Sequence, residues 1–391
     1  MRNPTFMEAD MRHLLSVFGT LCVTATLIAS APASAAGQVI KIGFAAPLTG
    51  PSAADGKEME NAVRLAIEDE NLHNPRINGQ AVEFAIEAQD DQGDPRIATQ
   101  VAQRFVDLGV AGVVGHFNSS CSIAASKTYD AASVVEVSPS STSASYTLQG
   151  LKTTFRVVGQ DAIAGESLGN YLVDQLGAKR IAIIDDRTDF GQGLADRVQD
   201  AIVKRHATLV AREYITDKTV DFSAVLTSIR AKNPDVIVFG GFDAQAGQLV
   251  RRMRGLGMKA PLVGEGFNNS IFVDLAREDG EGTITIQPGL PSAKLPGRDF
   301  DSRYESRFKV RPQGFQGPYA YDAANVIIQG VLKAQSATPS NVLAAVQTLK
   351  INGTTGVISF DKNGDVADAP YTVYRLNGGQ WNDVIVITAR K

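Results

Sequence analysis

Gly115-His116-Phe117-Asn118-Ser119-Ser120-Cys121-Ser122, followed further on by Ser138-Pro139-Ser140-Ser141-Thr142-Ser143, is the stretch that decides how this chain folds. Each hydroxyl-rich cluster follows a short β-branched run, Val113-Val114 before the first and Val134-Val135 before the second. The first cluster also opens a helical pattern. Two adjacent strands would therefore deliver hydroxyls and backbone N–H groups to the carboxyl edge of a parallel sheet, where open α/β sheets bind ligands. Unpartnered N–H groups at a helix start attract an anion, and serine and threonine hydroxyls add donors. This suits a small carboxylate held without a full counter-charge. Taken singly, each cluster is better read as a helix cap or a solvated loop. Two in succession on adjacent strands point to a site.

Outward from this stretch, strand alternates with helix. Val39 to Ala46 and Val82 to Glu87 read as strands. The segment from Gly56 to Ala66 carries apolar residues at helical spacing. Asp94 reads as an N-cap with Pro95 at the first helical position. Such alternation implies right-handed βαβ units and a parallel sheet. The pattern restarts at Phe155 and runs through strands at Arg180 to Asp185, Thr208 to Glu213, Val236 to Phe239 and Pro261 to Val263. Two similar α/β lobes are expected rather than one large sheet. The tail is different: helices Pro318 to Ala334 and Pro339 to Leu349 come long after the second sheet and are expected to return to the first.

The chain has 391 residues, 44% hydrophobic and 20% charged, ordinary values for a globular protein of two domains. Its beginning is set apart. Met11-Arg12-His13, the apolar run Leu14 to Ala29 and Ala33-Ser34-Ala35 form a basic start, a hydrophobic stretch and a cleavage pattern, hence an expected signal peptide over residues 1–35. Translation is expected to start at Met11. Without residues 1–35 the formal charge stays at −4 and there is no basic stripe, so nucleic acid is not an expected partner. Cys121 remains as a single thiol, so stability must come from packing.

Familiar catalytic patterns are missing. No Gly-x-Ser-x-Gly, His-Glu-x-x-His or phosphate loop occurs, and neither an enzyme nor a cofactor nor a metal is expected. His116 beside Ser119 suggests a nucleophile pair but has no third partner placed, so it reads as a helix-start histidine. Phe190-Gly191-Gln192-Gly193 opens a helix as a dinucleotide fingerprint would, yet Asp196 stands where the third glycine belongs. Asp361 to Asp365 begins like a calcium loop, but Val366 takes the glycine position, which favours a β-turn.

Leu48-Thr49-Gly50-Pro51, Asp90-Asp91, Gly115-His116 with Ser119-Ser120, Pro139 to Thr142, Gly191-x-Gly193, Gly240-Gly241-Phe242, Gly264-Glu265-Gly266 and Tyr319 to Ala323 recur in one family in this order. In these motifs the chain resembles the periplasmic leucine/isoleucine/valine-binding proteins, solute receptors of ABC importers, over essentially its whole mature length. The resemblance implies two Rossmann-like three-layer lobes, residues 36–159 plus 289–366 and residues 160–288 plus 367–391. They would be joined by three hinge strands near Val158 to Asp161, Gln287 to Gly289 and Asp365 to Asp368. It further implies a ligand carboxylate at Ser119, the Ser140 backbone and Thr142, an ammonium at Glu265, and aromatic rings at Phe190 and Phe242. Asn118 and Asp55 are expected beside them. A branched-chain or other apolar amino acid, an inner-membrane permease, a monomeric state and a periplasmic location follow as expectations. The sequence also departs from the family. The family receptor has a disulfide between positions matching Gly93 and Asn118, tyrosines at Phe190 and Phe242, and an aromatic residue near Asp55. These differences leave open a receptor for another small carboxylate or amide, aromatic acids included. A dinucleotide-dependent enzyme is the rival of another class.

Overall fold

The computed structural model of the protein describes residues 37–367 and 369–388. The expected signal peptide lies outside them. The first sheet contains β1 (Gln38–Ala46), β2 (Arg76–Ile77), β3 (Gln80–Asp90), β4 (Gly112–Gly115), β5 (Val135–Ser138) and β6 (Thr154–Arg156). Its order is β2-β3-β1-β4-β5-β6, all parallel except the short edge strand β2. The second sheet begins with β7 (Arg180–Asp185), β8 (Thr208–Tyr214), β9 (Val236–Gly240), β10 (Leu262–Glu265) and β11 (Ile284–Pro288). After the late helices, β12 (Lys350–Asn352) and β13 (Val357–Ser359) pair with each other. Then β14 (Tyr371–Asn377) and β15 (Gln380–Ile387) extend the second sheet antiparallel, giving β15-β14-β11-β10-β9-β7-β8.

Apart from these added edge strands, both sheets run in the order second, first, third, fourth, fifth. Each then reverses direction beside its first strand, between β1 and β4 and between β7 and β9, and such points leave a crevice at the strand carboxyl ends. Parallel strands are covered on both faces, so they read as continuous apolar runs. One face of the first sheet packs Ile42, Phe44 and Val114 against helices Ala53–Leu72 and Gln316–Ala334; the other packs Val113 against Phe105 and Tyr129. The second sheet is sandwiched likewise, with Leu168 and Val198 on one side and Leu249 and Phe272 on the other. The helix Gln316–Ala334 therefore closes the first lobe although it follows the second in the chain. Asp94 caps its helix as expected, its side chain accepting the Arg96 N–H at 2.8 Å, with Pro95 in the first turn.

The chain passes between the sheets after β6, after β11 and before β14. These passages hold one another. Gly289 N–H donates to Pro370 O at 2.7 Å, Tyr371 hydroxyl donates to Gln160 O at 3.2 Å, and the Arg156 guanidinium meets Asp365 at 2.6 Å.

Candidate functional site

The carboxyl ends of both sheets open onto one cavity. From the first sheet come Asp55 in the helix after β1, Phe117 and Ser119 after β4, and Ser140 and Thr142 after β5. From the second come Phe190 after β7, Phe242 and Asp243 after β9, and Glu265 at the end of β10. Both crevices thus contribute to one site. Asn118 is not part of this lining; it borders a neighbouring cavity at the cleft edge, with Gly93 and Pro95. There it is the N-cap residue of helix Ser119–Ala131, though its side chain makes no capping bond.

One wall is rich in donors. The N–H groups of Cys121 and Ser122 turn back to Asn118 O, while those of Ser119 and Ser120 belong to the helix start, where no intrahelical acceptor exists. The Thr142 hydroxyl is buried with no partner among the described residues. The Ser119 hydroxyl accepts the Ser143 N–H at 3.3 Å, so it also ties the two clusters together. Beneath them, the Ser138 hydroxyl accepts the Ser141 N–H at 2.8 Å and fixes the turn.

The opposite wall is acidic. Glu265 is 3% exposed and neither of its carboxylate oxygens has a hydrogen-bond partner among the described residues. Asp161, the first residue of helix Asp161–Asp174, is buried near it but behind the cavity lining, where its N–H donates to Thr142 O at 2.8 Å and its carboxyl lies close to the Thr142 hydroxyl. Burial first, then the Asp161 charge, pushes the Glu265 carboxyl well above the usual range. Burial likewise pushes Asp161 up to about 7. A second acidic pair, Asp55 and Asp243, lies on the same cavity.

Four rings, Phe117, Phe190, Phe242 and Phe315, form the apolar part. Phe242 sits 5.9 Å from Phe117 and 5.4 Å from Phe190 between ring centroids.

Sequence reasoning missed Asp243, Phe117, Phe315 and Gln316 in the lining and Asp161 behind it. Asp243 and Phe117 adjoin Phe242 and Asn118, which the sequence singled out, and that adjacency is the signal that could have found them. The glycines that flank Glu265 serve packing and backbone geometry. A Cβ on Gly264 would stand 2.3 Å from the Phe267 ring, and Gly266 needs φ of +80°. Gly191 likewise serves packing: a Cβ there would meet Gly240 O at 2.5 Å. His116 is fully buried, with Nδ1 2.6 Å from Asp91 and Nε2 3.1 Å from the Tyr129 hydroxyl, and makes no bond to Ser119. It precedes the helix rather than starting it. Asp361 accepts the N–H groups of Asn363 and Asp365, as in a turn.

The sequence model of the periplasmic binding proteins matches residues 39–380. The chain belongs to this family. Among the relatives of this periplasmic binding protein is a Leu/Ile/Val-binding protein homolog 1 from Brucella suis, 31% identical over 346 residues that span 87% of this chain and 91% of that protein. A leucine-, isoleucine-, valine-, threonine-, and alanine-binding protein from Pseudomonas aeruginosa is 31% identical over 377 residues, 94% of this chain and 97% of its own. Among solved structures, a leucine-binding protein LivK from Thermotoga maritima superposes with a TM-score of 0.81 at 24% identity, covering 89% of this chain and 98% of that one. A solute-binding protein from R. palustris in complex with benzoate gives 0.78 at 17% identity, covering 90% and 98%. At such identities the likeness is one of fold, the type I two-lobe architecture. Among the described residues no helix is long and apolar enough to cross a membrane.

Proposed function

We propose that this periplasmic binding protein is the receptor of an ABC importer for an amino acid, bound between the lobes and handed to an inner-membrane permease. The observation that carries this reading is the Glu265 carboxylate, buried, without a partner, and lining the same cavity as Ser119, Ser140 and Thr142. An unpaired buried carboxylate is costly; an α-ammonium would satisfy it while the α-carboxylate takes the hydroxyls and the N–H groups at the helix start. Asp161 would reinforce the ammonium seat. Phe117, Phe190 and Phe242 favour an apolar side-chain stem, and branched-chain amino acids are the first class to test. In this reading the lobes, residues 36–159 plus 289–366 and residues 160–288 plus 367–391, hinge about the three passages. The protein acts as an exported monomer without catalysis or cofactor, its leader cleaved near Ala36.

A receptor for an aromatic acid is the second reading, favoured by the four rings. It leaves Glu265 and Asp161 without a cation. Thermal unfolding of the mature protein with leucine, isoleucine, valine, threonine, alanine or benzoate separates the two. The matching ligand at about 100 times its dissociation constant should add ~2.7 kcal/mol of stability. Stabilisation by benzoate alone would overturn the amino-acid reading.

A further inference from the structure

We propose that Asp55 and Asp243 form a second polar subsite, which receives a hydrogen-bond donor at the end of the bound amino acid's side chain. This rests on the amino-acid reading above and specifies which side chains the cleft takes.

The two residues belong to different lobes. Asp55 lies in the helix after β1, and Asp243 is the first residue of the helix after β9; both line the cavity and are 5% and 7% exposed. Asp243 is partly satisfied, accepting Asn269 Nδ2 at 2.6 Å and the Ala244 N–H at 2.8 Å. Asp55 accepts no hydrogen bond among the described residues; what acts on its carboxyl is burial, then the Asp243 charge, then Glu58, all of which push it up. The Gln316 side-chain oxygen, on the same lining, is also buried without a partner. Three acceptors with spare capacity therefore line the same cavity as the rings of Phe117 and Phe242.

A purely aliphatic side chain would seal these acceptors away from water unpaired, at a cost that a single donor removes. Closing the lobes brings two like charges together unless something positive or donating lies between them. A terminal ammonium, guanidinium, amide or hydroxyl would bridge the lobes and favour closure. The rings supply an apolar wall for the stem and, for a cation, an attractive face.

Calorimetry on the mature protein tests this with L-lysine, L-arginine, L-glutamine, L-threonine, L-leucine and benzoate, followed by Asp55→Asn and Asp243→Asn. The tightest ligand is expected among the donor-ended four, with lysine and arginine reporting a cationic group and glutamine and threonine a neutral one. In Asp55→Asn the affinity of that ligand relative to leucine should fall about tenfold or more. Should leucine bind wild type more tightly than all four, the subsite is wrong and the amino-acid reading stands. Binding of benzoate with no amino acid overturns both. The wild-type comparison decides even if a variant fails to fold.

Discussion

Arg156 Nε lies 2.6 Å from Asp365 Oδ1, a buried ion pair joining the end of β6 to the passage that leads into β14. The same guanidinium donates to Ser141 O and to the Thr147 hydroxyl, both at 2.7 Å, and Gln160 Nε2 donates to the other Asp365 oxygen at 3.1 Å. One side chain thus braces two inter-lobe passages and the turn that carries Ser140 and Thr142. Removing one partner of a buried pair strands the other, so Asp365→Ala should cost about 3–5 kcal/mol of stability. Denaturant unfolding measures it, and a change below about 1 kcal/mol would mean the brace contributes no more than an exposed pair.

Thr142 and Ser119 should behave differently. The Thr142 hydroxyl is buried and unpartnered, so Thr142→Val should leave stability level or raise it while weakening binding by about 1.5–3 kcal/mol, the range for hydrogen bonds to a charged group. Ser119→Ala should do both kinds of damage, because the Ser143 N–H loses its acceptor, at about 1–3 kcal/mol of stability. Calorimetry and unfolding on the same samples separate the effects. A Thr142→Val protein that binds as wild type would remove the hydroxyl from the carboxylate seat.

Glu265→Gln keeps the shape and removes the charge. Losing one member of a buried charge pair costs about 2–5 kcal/mol of affinity, so the best amino acid should bind more than tenfold more weakly. The ligand-free variant should be more stable as pH rises, since no buried carboxyl has to ionise there, away from water and beside Asp161. Unchanged affinity would shift the reading toward a carboxylic acid without an ammonium.

The acidic wall sets a pH dependence. Burial and then the Asp161 charge raise Glu265, while the Thr142 hydroxyl, Arg156 and Arg197 offset part of the burial that raises Asp161. A carboxyl whose pKa is raised by folding keeps its proton in the folded chain after the unfolded chain has lost it. Its contribution therefore falls as pH rises from about 4, the unfolded range, to the folded value, about 7 for Asp161. Asp186 and Asp322, each pushed up to about 6 by burial, act in the same direction. Ligand-free stability should decline across this window, less steeply in Glu265→Gln. Affinity for an α-ammonium should instead strengthen as the two carboxylates ionise. Unfolding and calorimetry on either side of the window check both signs.

Across the cleft, Phe117 meets Phe242, and the Ser120 hydroxyl accepts the Asp189 N–H at 3.4 Å. Lobes joined only through passages of this kind can part about them, and a ligand that bridges them shifts the balance toward closure. Small-angle scattering should give a smaller radius of gyration with saturating amino acid than without; identical curves would count against a hinge.

The amino-acid sequence was enough to read two α/β lobes, the serine clusters at successive strand ends, and Glu265 at the edge of the second sheet. Those features depend on local causes: β-branched runs, helix starts and turn chemistry act within a few residues. The same locality placed Gly191 and Gly264 beside the site but could not say that Gly240 and Phe267 press on them. Strand order belongs to the tertiary structure. It brings Asp55 of one lobe and Asp243 of the other to one cavity, sets Asp161 from an inter-lobe passage beside Glu265, and leaves Asn118 outside the lining. Which buried carboxylates meet depends on how distant strand ends align, and nothing in the spacing of residues along the chain encodes that alignment.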